Sequence, residues 1–168
     1  MIQPLCGWMG HAAPFDFTDA WRPADGMARA LCGTPAILAM AALEEGIATF
    51  GGVAMSDVCT KSRGLGDLFL ALVDENCTEY GIGIACPRES AACGSQISLR
   101  HPEGYAIIQA LISESVIGDF RAPDILRFGF APLYTRYVDV WDAVERLVSV
   151  MRQETWRMPR FHLRAAVT

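Results

Sequence analysis

A chain of 168 residues fits one domain that buries about two-thirds of its unfolded surface, and 52% apolar residues predict a packed core. A net charge of −5 argues against nucleic-acid binding, which normally uses a basic surface. The first ten residues lack the basic and apolar regions that predict a signal peptide, and the longest apolar run, residues 36–43, is too short to span a bilayer. We therefore predict a soluble cytoplasmic protein with no membrane segment.

The six cysteines indicate neither a disulfide framework nor a metal site. No pair has C-x-x-C spacing, and the three histidines do not complete a zinc pattern. Because disulfides are rare in the cytosol, we predict reduced thiols and no bound metal.

The first 60 residues predict little regular structure before one helix. Residues 1–33 are rich in turn formers, and such a run is unusual in a compact domain unless it is functional or packs on something else. We therefore expect these residues to be part of a larger protein and to pack on sequence that is not present here. Thr34 as N-cap and Pro35 at the first position predict a helix that ends at Gly51–Gly52.

A second helix is predicted from about Ser56 to Glu75, then a short strand at 82–86 and an alternating strand at 95–100. Pro102 predicts the first turn of a third helix, and turn formers at 118–124 separate two further short strands. The predicted buried face of the second helix comprises Leu65, Leu68, Phe69 and Leu72.

A last helix is predicted from about Arg136 to Glu154, with Thr135 as its cap, and an extended segment is predicted for 155–168. The apolar face of this helix is predicted as Tyr137, Trp141, Val144, Val148 and Met151. Closely spaced strands pair antiparallel more easily than parallel. The fold class is therefore α/β, as an α+β small domain whose small antiparallel sheet carries helices on one face.

Arg127 is the strongest candidate for ligand chemistry. In the strand 125–130, Leu126, Phe128 and Phe130 share one face, which leaves Arg127 on the other. A guanidinium group matches a carboxylate or phosphate with two parallel hydrogen bonds. The alternative is a structural ion pair with Asp119 or Asp124, and the pattern does not choose between them.

Three segments together resemble kynureninases, which are pyridoxal-phosphate enzymes of the aspartate aminotransferase fold type. They are GWMGHAAPFDF (7–17), CGTPAILAMAALE (32–44) and the run from GSQISLRHPEGYAIIQALI to VIGDFRAPDILRFGFAPLYTRYVDVWDAVE (94–145). The resemblance implies that residues 1–60 are the end of the large cofactor domain with a connecting helix. Residues 61–168 would then be the small C-terminal domain.

The resemblance also implies roles for three residues. Trp8 matches the tryptophan whose indole N–H reaches the cofactor phosphate, and Thr34 matches a phosphate-binding position supplied across the dimer interface. Arg127 matches the arginine that holds the α-carboxylate of the substrate. The plainer alternatives are a packed tryptophan for Trp8 and an ordinary helix cap for Thr34.

One departure from the family is large. Its members carry a Schiff-base lysine a little upstream of the GWxGH segment, and Lys61, the only lysine here, does not match it. The acidic partner of the pyridine nitrogen has no match either. The chain thus looks like the C-terminal part of the enzyme, and alone we expect it to be inactive, without a lysine to form the cofactor's Schiff base.

The resulting hypothesis is a homodimeric hydrolase that cleaves L-kynurenine or 3-hydroxykynurenine, without choosing between them. One alternative is a non-catalytic remnant or dimerisation module. Another is a desulfurase relative that uses Cys93 as a persulfide carrier, which requires an exposed thiol with a depressed pKa.

Overall fold

Four helices and four strands follow one another in the predicted order in the computed structural model, which describes residues 5–163. The chain divides into two units, Met1–Gly52 and Val53–Thr168. The elements are α1 (Ile37–Ala48), α2 (Met55–Asn76), β1 (Gly83–Ile84), β2 (Gln96–Arg100), α3 (Gly104–Ser113), β3 (Asp119–Arg121), β4 (Ile125–Gly129) and α4 (Tyr137–Arg152).

The strands of the second unit form one antiparallel sheet in the order β1-β2-β4-β3. Strand β4 is an inner strand of this sheet and pairs on both sides. Ser98 of β2 and Asp119 of β3 both lie opposite Arg127. The turn that leads from β3 to β4 contains a cis Ala122–Pro123 peptide. This small antiparallel sheet and its helices confirm the predicted fold class.

The core of the second unit lies between one face of the sheet and the helices α2, α3 and α4. Alternation along β2 and β4 directs Ile97, Leu99, Leu126 and Phe128 into this core, as predicted. The largest side chains that are almost completely buried are Phe69, Leu65, Leu99, Ile107, Ile108, Leu111, Leu126 and Leu147. The opposite face of the sheet, which carries Arg127, stays outside this core.

Helix α2 matches its predicted bounds within one residue at each end. Leu65, Phe69 and Leu72 are buried, and Leu68 packs on the core while partly exposed. Gly64 weakens a helix in isolation, yet here it serves packing. A Cβ at Gly64 would collide with the Tyr137 hydroxyl, so glycine allows α4 to start close to α2.

The predicted caps of α1 and α4 are wrong. Helix α1 begins at Ile37 after Ala36, so Thr34 and Pro35 lie outside it, and no side chain caps it. Helix α4 is capped at Arg136, whose backbone N–H donates to Asp139 at 2.7 Å. Thr135 Oγ1 instead accepts from the Ala131 N–H at 3.2 Å. Threonine oxygens bond readily within loops, so threonine before a helix is a weak predictor of the cap.

The predicted face of α4 is shifted around the helix. Tyr137 and Trp141 are about half exposed, at 48% and 51%, because the core lies on the side of Val140 and Leu147. Val144 and Met151 are buried as predicted. The predicted extended tail instead forms the short 3-10 turns Thr155–Arg157 and Pro159–Phe161, and residues 164–168 of that prediction lie outside the described range. The third helix also begins later than predicted, at Gly104, with Pro102 before it.

Candidate functional site

Arg127 stands in the middle of the sheet face that the helices leave uncovered. Its side chain is 26% exposed, and Nη2 donates to Asp119 Oδ2. Asp119 is half exposed and also lies 3.7 Å from Arg121 Nη2. Two guanidinium groups therefore share one carboxylate, and the cluster keeps a net positive charge. A positive, half-buried position of this kind is suited to an anionic ligand.

One donor of Arg127 has no partner in the described part of the chain. Its Nε is buried, and no described residue from 5 to 163 accepts its hydrogen. An unpaired buried donor is costly, so native proteins usually satisfy it. Either a bound acceptor or a rotation of the side chain would do so here. Of the two ion-pair partners proposed from sequence, Asp119 is the one observed, while Asp124 pairs with Arg100 at 3.1 Å.

Sequence reasoning missed three neighbours of Arg127 on this face. Ser98 is opposite Arg127 on β2, and its Oγ lies 3.3 Å from Gln96 Nε2. Arg100 and Arg121 both lie opposite Ile125, two positions along β4. Period-two alternation does predict Ser98 and Arg100 on one side of their strand. It could not align that strand with Arg127, because register depends on the connections.

Trp8 lies in a short 3-10 turn, Trp8–Gly10, within the first unit. It is 48% exposed and meets Phe15 edge to face, with the ring centroids 5.5 Å apart. It lines a cavity of about 370 Å³ together with His11, Pro14, Phe17, Thr18 and Trp21. The Trp21 indole N–H donates to the Gly7 carbonyl at 3.1 Å, whereas within residues 5–163 the Trp8 indole N–H has no such acceptor. Of the two tryptophans in the first unit, Trp8 is therefore the one whose indole donor has no acceptor within the described residues 5–163.

Backbone contacts, rather than a regular element, hold Trp8 in place. His11 is buried, its Nδ1 accepts from the Ala13 N–H at 2.9 Å, and its Nε2 faces the Ala20 carbonyl at 3.2 Å. Gly7 lies against the Cys32 carbonyl with no room for a Cβ. Both ring nitrogens of His11 thus contact backbone groups, and these contacts stabilise the conformation of the GWMGH segment.

Thr34 is exposed in the first unit, in the bend before α1. The helix that follows has no buried residue, and its apolar side chains point to several sides. Among these, Leu38 is 88% exposed and Ile47 is 63% exposed. Trp8 and Thr34 thus both belong to the first unit, and Arg127 belongs to the second.

Lys61 lies in α2 beside the acidic first turn of α4. It is half-buried in α2, on the second unit. The Arg136 hydrogen bond is the main cause that lowers the pKa of Asp139, and the charge of Lys61 lowers it further. Lys61 therefore lies near the start of α4, where it complements the acidic first turn.

The cysteines do not support a persulfide carrier. Partial burial and the neighbouring Cys86 raise the pKa of the Cys93 thiol, whose Sγ donates to the Pro87 carbonyl at 3.1 Å. Full burial raises the pKa of Cys77 to about 11. A reactive cysteine requires the opposite shift, because the thiolate is the nucleophile.

Alkylation with iodoacetamide at pH 7.5 should therefore label the exposed Cys6, Cys32 and Cys59 first, Cys93 more slowly, and Cys77 last. A pKa near 11 for Cys77 instead of 9.0 lowers its thiolate fraction about a hundredfold at this pH, and raising the pH should speed its labelling. Mass-spectrometric peptide mapping over time gives the order. Labelling of Cys93 ahead of Cys59 would contradict the burial described here and favour a reactive thiol.

Two other kinds of site are absent from residues 5–163. No group of three or more His, Cys, Asp or Glu side chains there is arranged to hold a metal ion. None of the helices in the same range is both long enough and apolar enough to cross a membrane.

Known proteins resemble this chain in sequence over nearly its whole length. The family model for the kynureninase C-terminal domain matches residues 58–147. The kynureninases of Burkholderia mallei (strain SAVP1) and Burkholderia pseudomallei (strain K96243) are each 51% identical over 166 residues. The kynureninase of Pseudomonas fluorescens is 46% identical over the same length. Each match covers 99% of this chain but 40% of the relative, so the chain spans about two-fifths of the length of these curated relatives.

The matched residues 58–147 include β2, β3 and β4, and therefore the whole sheet face around Arg127. They account for more than half of the chain. The chain belongs to the kynureninase C-terminal domain family.

Proposed function

We propose that this chain is the C-terminal part of a kynureninase. Such an enzyme acts in tryptophan catabolism, the kynurenine pathway that feeds NAD biosynthesis. It hydrolyses the Cβ–Cγ bond of L-kynurenine or 3-hydroxykynurenine to L-alanine and anthranilate or 3-hydroxyanthranilate. The observation that carries the proposal is Arg127, within the segment that resembles the family most specifically. It is half-buried in a positive cluster, and its Nε donor has no acceptor among residues 5–163.

In this proposal Arg127 binds the α-carboxylate of the amino-acid substrate. Its guanidinium group retains N–H donors beyond the one given to Asp119, and a carboxylate accepts such donors pairwise. Binding at this end fixes the substrate, so that its reactive carbon is presented in one orientation.

The proposed cofactor is pyridoxal phosphate, with Trp8 and Thr34 as phosphate contacts. Trp8 is half exposed and its indole N–H has no acceptor within residues 5–163, and Thr34 is exposed, so both fit a phosphate group, which accepts hydrogen bonds. When bound, the cofactor supplies the electron sink for the reaction. Lys61 fits a structural role beside the start of α4 better than a role in attaching the cofactor.

The proposed assembly is a homodimer in the cytoplasm. Exposed apolar residues on α1, directly after Thr34, support burial of this helix against another chain or another part of the enzyme. The division into residues 1–60 from the cofactor domain and 61–168 as the small domain is part of the same proposal. Cys32, Cys59, Cys77, Cys86 and Cys93 form no disulfide within residues 5–163, which is compatible with this compartment.

The direct test joins this chain, as the C-terminal part, to the N-terminal three-fifths of the Burkholderia mallei kynureninase, to give what we call the joined enzyme. We expect it to convert L-kynurenine to anthranilate, followed by anthranilate fluorescence, while the 168-residue chain alone gives none. A joined enzyme that folds and binds pyridoxal phosphate but forms no anthranilate would overturn the proposal and favour a non-catalytic module.

A further inference from the structure

We propose that Asp119 is a positioning residue that holds the Arg127 guanidinium group ready for the substrate carboxylate. This inference rests on the proposed function, because it concerns the same carboxylate site. Asp119 itself does not touch the substrate in this proposal. Its effect is exerted through the orientation of Arg127.

The first support is the strand register. Asp119 of β3 and Arg127 of β4 are direct cross-strand partners, so their side chains leave the sheet on the same face. Directly opposed residues have Cβ atoms about 5 Å apart, which lets a short aspartate meet the end of an arginine that bends toward it. The ion pair between Arg127 Nη2 and Asp119 Oδ2 is therefore set by the backbone pairing.

The second support is the flexibility of arginine. An unrestrained arginine side chain loses rotamer entropy when it is fixed, and a ligand that has to fix the side chain therefore binds less tightly. Asp119 fixes one end of the guanidinium group before the ligand arrives, which is preorganisation. On the other side, Ser98 of β2 lies opposite the same residue and bounds the position.

The third support is the charge balance. A single carboxylate beside a single arginine would cancel the attraction for an anion. Here Arg121 lies 3.7 Å from the same Asp119 oxygen, so a net positive charge remains beside Arg127. Asp119 can therefore orient Arg127 and still leave the site attractive to a carboxylate.

The first arm of the test uses the 168-residue chain itself. NMR relaxation of the Arg127 Nε–H group measures its order on the nanosecond timescale. Asp119→Ala should lower the order parameter of this group from the rigid range to below about 0.6. Asp124→Ala, which removes the carboxylate paired with Arg100, is the matched control and should leave the Arg127 signal unchanged.

The second arm uses the joined enzyme. Asp119→Ala should raise KM for L-kynurenine about tenfold with kcat changed less than about twofold, as expected when a charge-assisted hydrogen bond that supports binding is lost. Asp119→Asn keeps an acceptor oxygen and should raise KM only about threefold. The inhibition constant of the kynurenine analogue without its α-carboxylate should stay within about twofold, because that amine cannot use the arginine.

The outcomes separate this proposal from the proposed function. Asp119 is not a positioning residue if Asp119→Ala leaves the Arg127 order parameter unchanged. The same holds if Asp119→Ala leaves KM for L-kynurenine unchanged while Arg127→Leu raises it. In both cases the carboxylate site at Arg127 stands. If Arg127→Leu also leaves KM for L-kynurenine unchanged, the carboxylate site itself is wrong. A merely structural role for Asp119 would lower thermal stability and affect substrate and amine analogue alike.

Discussion

Replacing Arg127 with leucine in the joined enzyme should lower kcat/KM for L-kynurenine about a hundredfold, which corresponds to about 2.7 kcal/mol. The substrate carboxylate then has no charged partner on this partly exposed sheet face, and the loss of charge-assisted hydrogen bonds is costly. The affinity for pyridoxal phosphate should change little, because the proposed phosphate contacts lie in the first unit. Steady-state kinetics and a cofactor titration on the same variant check both statements.

The thermal stability of Arg127 variants distinguishes a substrate-binding role of this residue from a purely structural one. Its side chain lies outside the core, so its loss should not open a cavity, and its exposed ion pair with Asp119 contributes about 1 kcal/mol or less. Arg127→Lys is the matched control, since it keeps the charge but loses the fork of donors, and it should also lose most of the activity. A large fall in Tm, with unchanged kcat/KM for the folded fraction, would show that Arg127 is only structural.

The strands and the side of β4 that carries Arg127 were predictable because both follow from local alternation. Leu126 and Phe128 are buried and Arg127 is on the opposite face, as the period of two requires. The partner of Arg127 was not predictable from that pattern. Both Asp119 and Asp124 are close in sequence, and only the register of the β3–β4 hairpin selects Asp119.

The helices show a different limit. Apolar residues lie on several sides of α1 and α4, so periodicity alone does not identify the buried side. Trp141 is apolar and lies half exposed, while Val140 beside it is buried, because the position of the sheet decides which side is covered. In α1 the buried side is not defined within the first unit, where none of its residues is buried. Tertiary packing therefore determines which side of a helix is buried where the hydrophobic pattern allows several sides.

The residues of the candidate site were predictable from the sequence, but their hydrogen-bond partners were not. The strand pattern singled out Arg127, and the resemblance supplied Trp8 and Thr34. Nothing in the residue types showed that, within residues 5–163, the Trp21 indole N–H has an acceptor and the Trp8 indole N–H has none. Such assignments depend on backbone carbonyls brought close by turns, which a pattern of side chains does not reveal. The roles of the three residues stay predictions.

Replacing Phe69 with alanine should lower the free energy of unfolding of the second unit by about 3–5 kcal/mol, the largest stability change we predict. The ring is 1% exposed and lies 5.0 Å from the Phe128 ring and 5.5 Å from the Phe130 ring, measured between centroids. Its loss removes both aromatic contacts and leaves a cavity between α2 and β4. Urea denaturation of the 168-residue chain, followed by circular dichroism, measures the change.

Phe17→Ala is the matched control, because it deletes the same ring at a position that is 82% exposed and should change stability by no more than about 0.5 kcal/mol. Replacing Phe69 with alanine should also affect the candidate site. Phe128 follows Arg127 directly on β4, so a shift of β4 into the cavity moves the Arg127 guanidinium group as well. KM for L-kynurenine should therefore rise in the joined enzyme. Phe69→Leu fills most of the cavity and should recover most of the stability and the KM together. Equal midpoints for Phe69→Ala and the unsubstituted chain would mean that α2 does not pack on β4 through this ring.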